Sequence, residues 1–536
     1  MTPYDDPLGL GSASPLTRRT LVRSALAGGV LLGAGGLLAA CGNDGTSTAA
    51  TTAGGAPKPG GRLRVGIAGG GPQDTLDAHL SDASLVDATR ANNLYEPLAI
   101  RDLDFGIELV LAESIEPDGG LDAWIVKLRD GVQFHDGRTV GADDVIASLR
   151  RILDPKDPKS AATALSAVDA RALKKIDART VRIPLKEPNA NFRDDIARIT
   201  VAIVPADYDP KKPIGTGPFQ FVSFEPGRQS LFKKNPNYWQ DGKPYVDELV
   251  IIDFPDDAAR VNALLGGQVD AISDLPPAQR KTIDANKGFR VLRAETGNWH
   301  AFTLRVDRSP LSDVRVRQAL RLTADRDQLV AQVLAGEGRV ANDVVSPLDP
   351  AYDRSLPQRA QDLEQAKSLL KAAGRSDLRL ELVTAPQVAG IVDLAEVYAE
   401  QAKAAGIQIK LKKLGTDTFF GPNYKKWDFA QTYWTTRSYF AQVAATHLKS
   451  APYNETHFDD AEFASLIHKA KQEPDDQART ALLHQAQKIE YDRGGLLIPY
   501  FYNVVDAYSA KLGGLKPART GLPLGNYRFK DVWFQS

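Results

Sequence analysis

Leu38-Ala39-Ala40-Cys41 closes an apolar run that begins at Ala25, and Cys41 is the only cysteine of the 536 residues. With no thiol after position 41 the rest of the chain can form no disulfide, so its fold has to be held by packing alone. The same fact removes thiol catalysis and cysteine-zinc sites from the candidate chemistries. Upstream stand basic residues Arg18, Arg19 and Arg23, then the apolar run, then small residues. These are the three parts of an export signal. Thr17-Arg18-Arg19-Thr20-Leu21 adds a twin-arginine character, which predicts export of an already folded protein. A membrane-spanning helix is the competing reading. The run, however, is about 16 residues long and carries Gly28, Gly29, Gly33, Gly35 and Gly36, against the roughly 20 apolar residues that a span needs. Residues 1-40 therefore read as a cleaved signal peptide.

The residues around Cys41 resemble a bacterial lipobox. That resemblance implies cleavage before Cys41 and a lipid on its sulfur, which would anchor the chain to the outer face of the cell membrane; an inert core cysteine is the alternative. From Gly42 to Gly61 the sequence is Gly, Ser, Thr, Ala and Pro with almost nothing to bury, so residues 41-60 read as a lipidated cysteine and a flexible linker. A linker of about 20 such residues has a reach of roughly 25 Å. Nearly 500 residues remain beyond position 40, enough for two to four units with their own cores. Lys and Arg number 66 against 67 Asp and Glu, a net charge of -1. No global field therefore points to nucleic acid or to an anionic membrane surface.

The folded part begins with Arg62-Leu63-Arg64-Val65-Gly66-Ile67, which alternates like a half-buried strand. A helix is expected at Leu85 to Leu94. Trp124 to Leu128 and Val132 to His135, each followed by a glycine turn, read as a β-hairpin. Asp143-Asp144 opens a further helix with acids in its first turn. Helices are predicted after Asp313, from Asp362 to Ala373 with Gly374 as its stop, and from Val392 to Ala405 with Gly406 as its stop. Strands are expected at His300 to Leu304, Ile407 to Leu411 and Gly495 to Phe501. Strands alternating with helices indicate an α/β fold.

Gly60-Gly61-Arg62-Leu63-Arg64-Val65, Leu76-Asp77, Asn93 to Leu98, Leu111-Ala112-Glu113-Ser114 and Leu128 to Gly137 resemble successive signatures of family 5 extracytoplasmic solute-binding proteins. These are the peptide- and nickel-type receptors of ABC importers. The likeness continues through Pro213 to Phe219, Asn235 to Trp239 and Leu311 to Leu320, and so covers essentially the whole mature chain. It implies a bilobed periplasmic-binding-protein-like fold with a hinge between its lobes. Lobe I would be residues 61-97, 201-297 and 498-536, with an inserted subdomain at 98-200, and lobe II would be 298-497. It also implies capture of a peptide or other small solute for ABC permease subunits, by a protein expected to be a monomer and to need no cofactor.

Several motifs can also be read directly. Gly215-Thr216-Gly217-Pro218 reads as a sharp turn built on permissive glycines. Asn235-Pro236-Asn237-Tyr238-Trp239 reads as a loop pinned to the body by its aromatics, and His135 as a structural hydrogen-bonder. Catalysis has no recognisable constellation: there is no H-E-x-x-H, no G-x-S-x-G and no phosphate-binding loop. The acid pairs Asp143-Asp144, Asp256-Asp257 and Asp459-Asp460 read as caps or solvated faces. No enzyme is expected, although a secreted hydrolase or a lectin on a similar body is the contrasting class.

Specificity is expected in Trp427 to Phe440. Peptide receptors of the family carry a tryptophan followed three residues later by an aspartate that pairs with the peptide's ammonium. Trp434 matches the tryptophan, but the position three later is Arg437. A guanidinium repels an ammonium and suits a carboxylate or phosphate. The expectation is an anionic or N-blocked solute held by Arg437, with Trp434, Tyr433 and Tyr439 as stacking surface. Trp299, His300 and the pair Phe419-Phe420 are further pocket candidates, with a place in the core as the alternative. Arg305 stands where the family usually has asparagine. A nickel or metallophore receptor using His300, His447 or His457, or an oligosaccharide receptor, remains the alternative within the class, and no metal site is expected.

Overall fold

Arg62–Ala68 forms the strand its alternation predicts, with Leu63, Val65 and Ile67 buried. It pairs in parallel with Glu248–Phe254 on one side and Ala271–Ile272 on the other. The computed structural model describes residues 57–80 and 84–535, all within one compact unit, Gly54–Ser536. The expected signal peptide, Cys41 and most of the linker lie outside the described residues.

Eleven strands make one sheet. Its order is Gln408–Lys413, Arg379–Thr384, Phe429–Trp434, Phe289–Leu304, Leu496–Ser509, Ala271–Ile272, Arg62–Ala68, Glu248–Phe254, Gln229–Lys234 and Phe219–Glu225, with Gly338–Val340 beside Leu496–Ser509. The two longest strands, Phe289–Leu304 and Leu496–Ser509, lie antiparallel at its centre. One core gathers residues from Leu63 to Leu94, Ala202 to Ala271 and Tyr508 to Val532. Two others draw only on residues between Trp299 and Phe501. A fourth uses only residues from Leu98 to Ile203 and includes the buried positions of a separate four-stranded sheet, Ala112–Pro117, Ala123–Leu128, Thr180–Pro184 and Lys174–Lys175.

Most helix expectations hold to within two residues because their stops are local. Val314–Thr323 is capped by Asp313, whose side chain accepts from Arg315 N. Leu363–Ala372 is capped by Asp362 and followed by Gly374 at φ 67°. Ile391–Ala402 runs through a 3-10 turn to Gly406 at φ 79°. Both glycines adopt the left-handed conformation that ends helices. Asp256 and Asp460 are likewise N-caps.

Two local readings need correction. Ala123–Leu128 does not form a hairpin with Val132 to His135; it pairs with Ala112–Pro117 and Thr180–Pro184. Only an isolated bridge joins Gln133 to Thr139. Val132 and Phe134 instead pack as side chains into the same core as these strands. At Gly215 and Gly217 the backbone does not adopt a positive φ. Glycine is required there because a Cβ would stand 2.2 Å from Leu94 O at Gly215 and 2.5 Å from Leu94 C at Gly217. The turn is pressed against the end of the helix Leu85–Leu94. His135 secures it: its Nε2 lies 3.0 Å from Gly217 O, and Gly215 N donates to its Nδ1 at 3.3 Å. Burial lowers this imidazole's pKa to about 4, so it is neutral at pH 7 and suited to this structural role.

Candidate ligand site at the strand crossing

The register of the two long strands breaks between Ala294 and Asn298. Thr296 bridges the break, donating from its hydroxyl to Tyr502 O at 2.6 Å and accepting from Asn298 N at 3.1 Å. Asn298 then becomes the junction of three segments. Its Oδ1 accepts from Thr436 N at 2.8 Å and from Thr436 Oγ1 at 3.1 Å, and its Nδ2 donates to Gly521 O at 3.1 Å. Gly297 N donates to Thr436 Oγ1 at 2.8 Å. The approach is tight: a Cβ on Gly521, whose φ is +85°, would lie 2.1 Å from Asn298 Oδ1. The stretch 433-437, the strand crossing and the C-terminal loop therefore meet at one buried asparagine.

Beside that junction the guanidinium of Arg437 lies over the Trp434 ring, 4.5 Å from its centroid, at cation–π distance. Trp434 meets Tyr453 edge-on at 5.4 Å, and its indole N–H is buried with no hydrogen-bond partner. Tyr433 is half-buried and pairs across the sheet with His300. The structure thus brings Trp434 and Arg437 together, whereas Tyr433, the preceding residue of the strand Phe429–Trp434, faces the other side of the sheet with His300,.

The other expected site residues are placed differently. Trp299 and Tyr439 belong to one hydrophobic core, and the Tyr439 hydroxyl lies 3.1 Å from Glu490 Oε2. His300 is buried, with Nδ1 3.0 Å from the Tyr500 hydroxyl and its ring 4.7 Å from that of Tyr502. Burial lowers its pKa to about 3, so it carries no charge at neutral pH. Phe419 packs in a small cluster with Val383, Ala385 and Ala430, while Phe420 is exposed. His447 faces Glu490 at 3.2 Å, and His457 faces Lys425 O at 2.9 Å, so the three histidines weighed for a metal have separate partners. Among the described residues no group of three or more His, Cys, Asp or Glu side chains could hold a metal. Arg305 is buried and grips Asp307 through both carboxylate oxygens, at 2.8 and 2.7 Å.

Three polar residues near this site escaped the sequence reading. Asn298 sits in an undistinguished polar run. Glu455 is buried and its carboxyl is pushed up to about 7 by that burial, against hydrogen bonds from Thr432 and Tyr424. Asp506 interrupts the apolar run Val504-Val505-Asp506-Ala507. A lone acid inside a buried strand was the one signal available there.

A model of bacterial extracellular solute-binding proteins, family 5 Middle, matches residues 106–454. The chain belongs to this family. Oligopeptide-binding protein AppA of Bacillus subtilis (strain 168) is 30% identical over 424 residues, which are 73% of this chain and 76% of that protein. The dipeptide-binding protein of Escherichia coli (strain K12) is 26% identical over 465 residues, 79% of this chain and 85% of its own. The solved structure of Bacillus subtilis AppA in complex with a nonapeptide matches with a TM-score of 0.74 at 25% identity, covering 90% of this chain and 100% of AppA. The ABC transporter substrate-binding protein CtaP of Listeria monocytogenes matches in fold with a TM-score of 0.79 at 22% identity, over 89% of this chain and 100% of its own. The bilobed α/β fold expected from the sequence is the fold of these family 5 proteins. Family 5 members are extracytoplasmic binding proteins and not enzymes. Among the described residues no helix is long and apolar enough to cross a membrane.

Proposed function

We propose that this family 5 protein captures a peptide or peptide-like small solute outside the membrane and delivers it to the permease subunits of an ABC importer. One end of the solute carries an anionic group, taken by Arg437. The observation that carries this reading is the Arg437 guanidinium held over Trp434, next to an indole N–H that makes no hydrogen bond. A cation and a spare donor side by side suit a carboxylate. Trp434 supplies the stacking surface.

The solute is held between lobe II, residues 298-497, and lobe I, residues 61-97, 201-297 and 498-536, with 98-200 as an inserted subdomain. Closure is a rotation of the lobes about the two long strands near Trp299 and Ile498. The register break at residues 294 to 298 favours bending there, because the ladder is already interrupted. The receptor works as a monomer tethered through a lipid on Cys41. Cys41→Ser is expected to move the protein from the membrane fraction into the soluble one, and retention with the membrane would overturn the lipid anchor.

A ligand that binds only the folded form adds about 2.7 kcal/mol of stability at a hundred times its dissociation constant. Thermal-shift measurements on protein lacking residues 1-41 should therefore show stabilisation by peptides with a free carboxylate and little by their C-terminal amides. Arg437→Asp should abolish the difference. Equal stabilisation of the wild type by carboxylate and amide forms would show that Arg437 holds no anion.

A further inference from the structure

Large rings left in water side by side mark a surface that something else covers. Among the described residues only two aromatic side chains are exposed, Phe420 at 41% and Tyr453 at 45%, and both stand in the same part of the fold. Phe420 belongs to the loop between the strands Gln408–Lys413 and Phe429–Trp434, and Tyr453 to the loop after the helix Tyr439–Thr446. Three hydrogen bonds fasten these loops together. Lys425 Nζ donates to Pro452 O at 2.9 Å, His457 Nε2 donates to Lys425 O at 2.9 Å, and the Tyr424 hydroxyl donates to the buried carboxyl group of Glu455.

The exposure of Phe420 does not come from a loosely packed loop. Phe419 packs with Val383, Ala385 and Ala430, and Leu414, Tyr424 and Trp427 close over them. This small core leaves Phe420 outside. Its ring meets Phe419 edge-on at 5.1 Å and Tyr424 edge-on at 5.2 Å. Edge-on contacts of this kind leave ring faces for a further ring.

The patch runs along one face of a strand up to Arg437. Side chains two apart on a strand share a face, and Ala430, Thr432 and Trp434 each meet the patch. Ala430 packs with Phe419, Thr432 bonds Glu455, and Trp434 meets Tyr453 edge-on at 5.4 Å. The Arg437 guanidinium then lies 4.5 Å from the Trp434 centroid. The strands Gln408–Lys413 and Phe429–Trp434 both run parallel to Arg379–Thr384. The Phe420 loop leaves from the carboxyl end of the first, and Trp434 is the carboxyl end of the second. Open α/β sheets bind their ligands outside those ends. A sugar there would need polar partners for its hydroxyls, but the Tyr424 hydroxyl and the Lys425 ammonium are already engaged by Glu455 and Pro452. Ring surface for an apolar group is what remains.

We propose that Phe420, Tyr424 and Tyr453 form a shelf for an aromatic side chain of the solute, so that this receptor prefers short peptides with an aromatic residue close to the carboxylate held by Arg437. The inference rests on the peptide-like reading of the solute and deepens it by naming the side chain selected. From the Arg437 guanidinium by way of Trp434 to the Tyr453 ring is at most ~10 Å, the length of about three extended residues. The favoured ring therefore belongs to one of the last three residues of the peptide.

The test is isothermal titration of the protein lacking residues 1-41 with alanyl-phenylalanyl-alanine, alanyl-leucyl-alanine and trialanine, on the wild type and on the double variant Phe420→Leu, Tyr453→Leu. The wild type is expected to bind the phenylalanine peptide about tenfold more tightly than either of the others, the effect of one well-placed aromatic pair. Leucine is also large and apolar, so the preference over the leucine peptide reports the ring and not apolar bulk. The double variant keeps apolar side chains and removes the rings, and should bind the phenylalanine and leucine peptides alike. Equal binding of the phenylalanine and leucine peptides by the wild type overturns the shelf and leaves the peptide-receptor reading standing. Binding of none of the three overturns both. The wild-type comparison needs no substitution, so the proposal stays falsifiable if the variant fails to fold. Retention of the full preference by a folded double variant overturns the assignment to these residues.

Discussion

Asp343→Asn is expected to destabilise the protein by about 3–5 kcal/mol, the cost of removing one partner from a buried charge cluster. Asp343 is 0% exposed. Its Oδ2 takes Arg326 at 2.8 Å and Arg359 in a still closer contact, with Arg321 at 3.9 Å, and its Oδ1 accepts from Ile498 N at 2.8 Å. Burial alone would raise this carboxyl. The guanidinium groups of Arg326, Arg359 and Arg321, with the Ile498 N–H, outweigh it and hold the carboxyl below its ordinary range. The three arginines also serve backbone carbonyls: Arg326 donates to Ile498 O at 2.5 Å, Arg321 to Leu496 O at 2.8 Å and Arg359 to Tyr491 O at 3.0 Å. The cluster therefore fastens the start of the long strand Leu496–Ser509 to the helices Val314–Thr323 and Arg326–Val333.

Asparagine keeps the shape and tolerates the left-handed φ of 60° at this position,, so the loss reports charge and hydrogen bonding, not strain. Urea denaturation should show a lower midpoint at unchanged slope. Arg359→Gln should cost much less in the Asp343→Asn background than in the wild type, because the two share one interaction. A fall of less than 1 kcal/mol for Asp343→Asn would show that solvent or a proton already compensates the arginines.

The second large effect is expected at Glu96, which joins three sequence motifs through one carboxylate. Its Oε1 accepts from the Tyr238 hydroxyl at 2.6 Å, and its Oε2 from Trp239 Nε1 at 2.8 Å and Thr216 Oγ1 at 3.0 Å. Lys530 Nζ donates to the Tyr238 oxygen at 3.2 Å. Glu96→Gln preserves volume but turns an amide NH2 toward groups that are themselves donors. At least one buried donor then loses its acceptor, at about 1–3 kcal/mol for each. The total expected is about 2–4 kcal/mol, read from the denaturation midpoint. Hydrogen exchange should quicken together in residues 93-98, 213-219 and 235-239. Faster exchange in only one of these segments would mean that Glu96 does not couple them.

The loop Asn235 to Trp239 shows how far sequence reasoning reached. Its two aromatics were legible as anchors, and they anchor the body. The acceptor that takes both was not legible, because Glu96 lies 142 and 143 residues away in the chain. In the specificity stretch, Trp434 and Arg437 stood out through the resemblance to the family's peptide receptors, whereas Tyr439, two residues after Arg437, looked equally available and is instead buried against Glu490. An aromatic's sequence neighbours do not reveal which side of the chain faces the core. The same blindness hid the acids at the crossing: Asp274 and Asp506 are 232 residues apart.

By itself the sequence determined the features that depend on a few adjacent residues. The single Cys41 excluded disulfides from the folded part, and Asp313, Asp362, Gly374 and Gly406 bounded helices. Caps and positive-φ glycines act through hydrogen bonds and sterics within about four residues, so no fold is needed to read them. Tertiary structure alone decided the partners of Ala123–Leu128, the close approach of Gly215 and Gly217 to Leu94, and the meeting of Thr436, Gly521 and Asn298. It also decided which buried acids face arginine, as Asp343 does, and which take only neutral donors, as Glu96 does from Tyr238, Trp239 and Thr216. Those outcomes depend on burial and on distances across the fold, because a charge or a donor inside a protein is governed by whatever the packing of remote segments sets beside it.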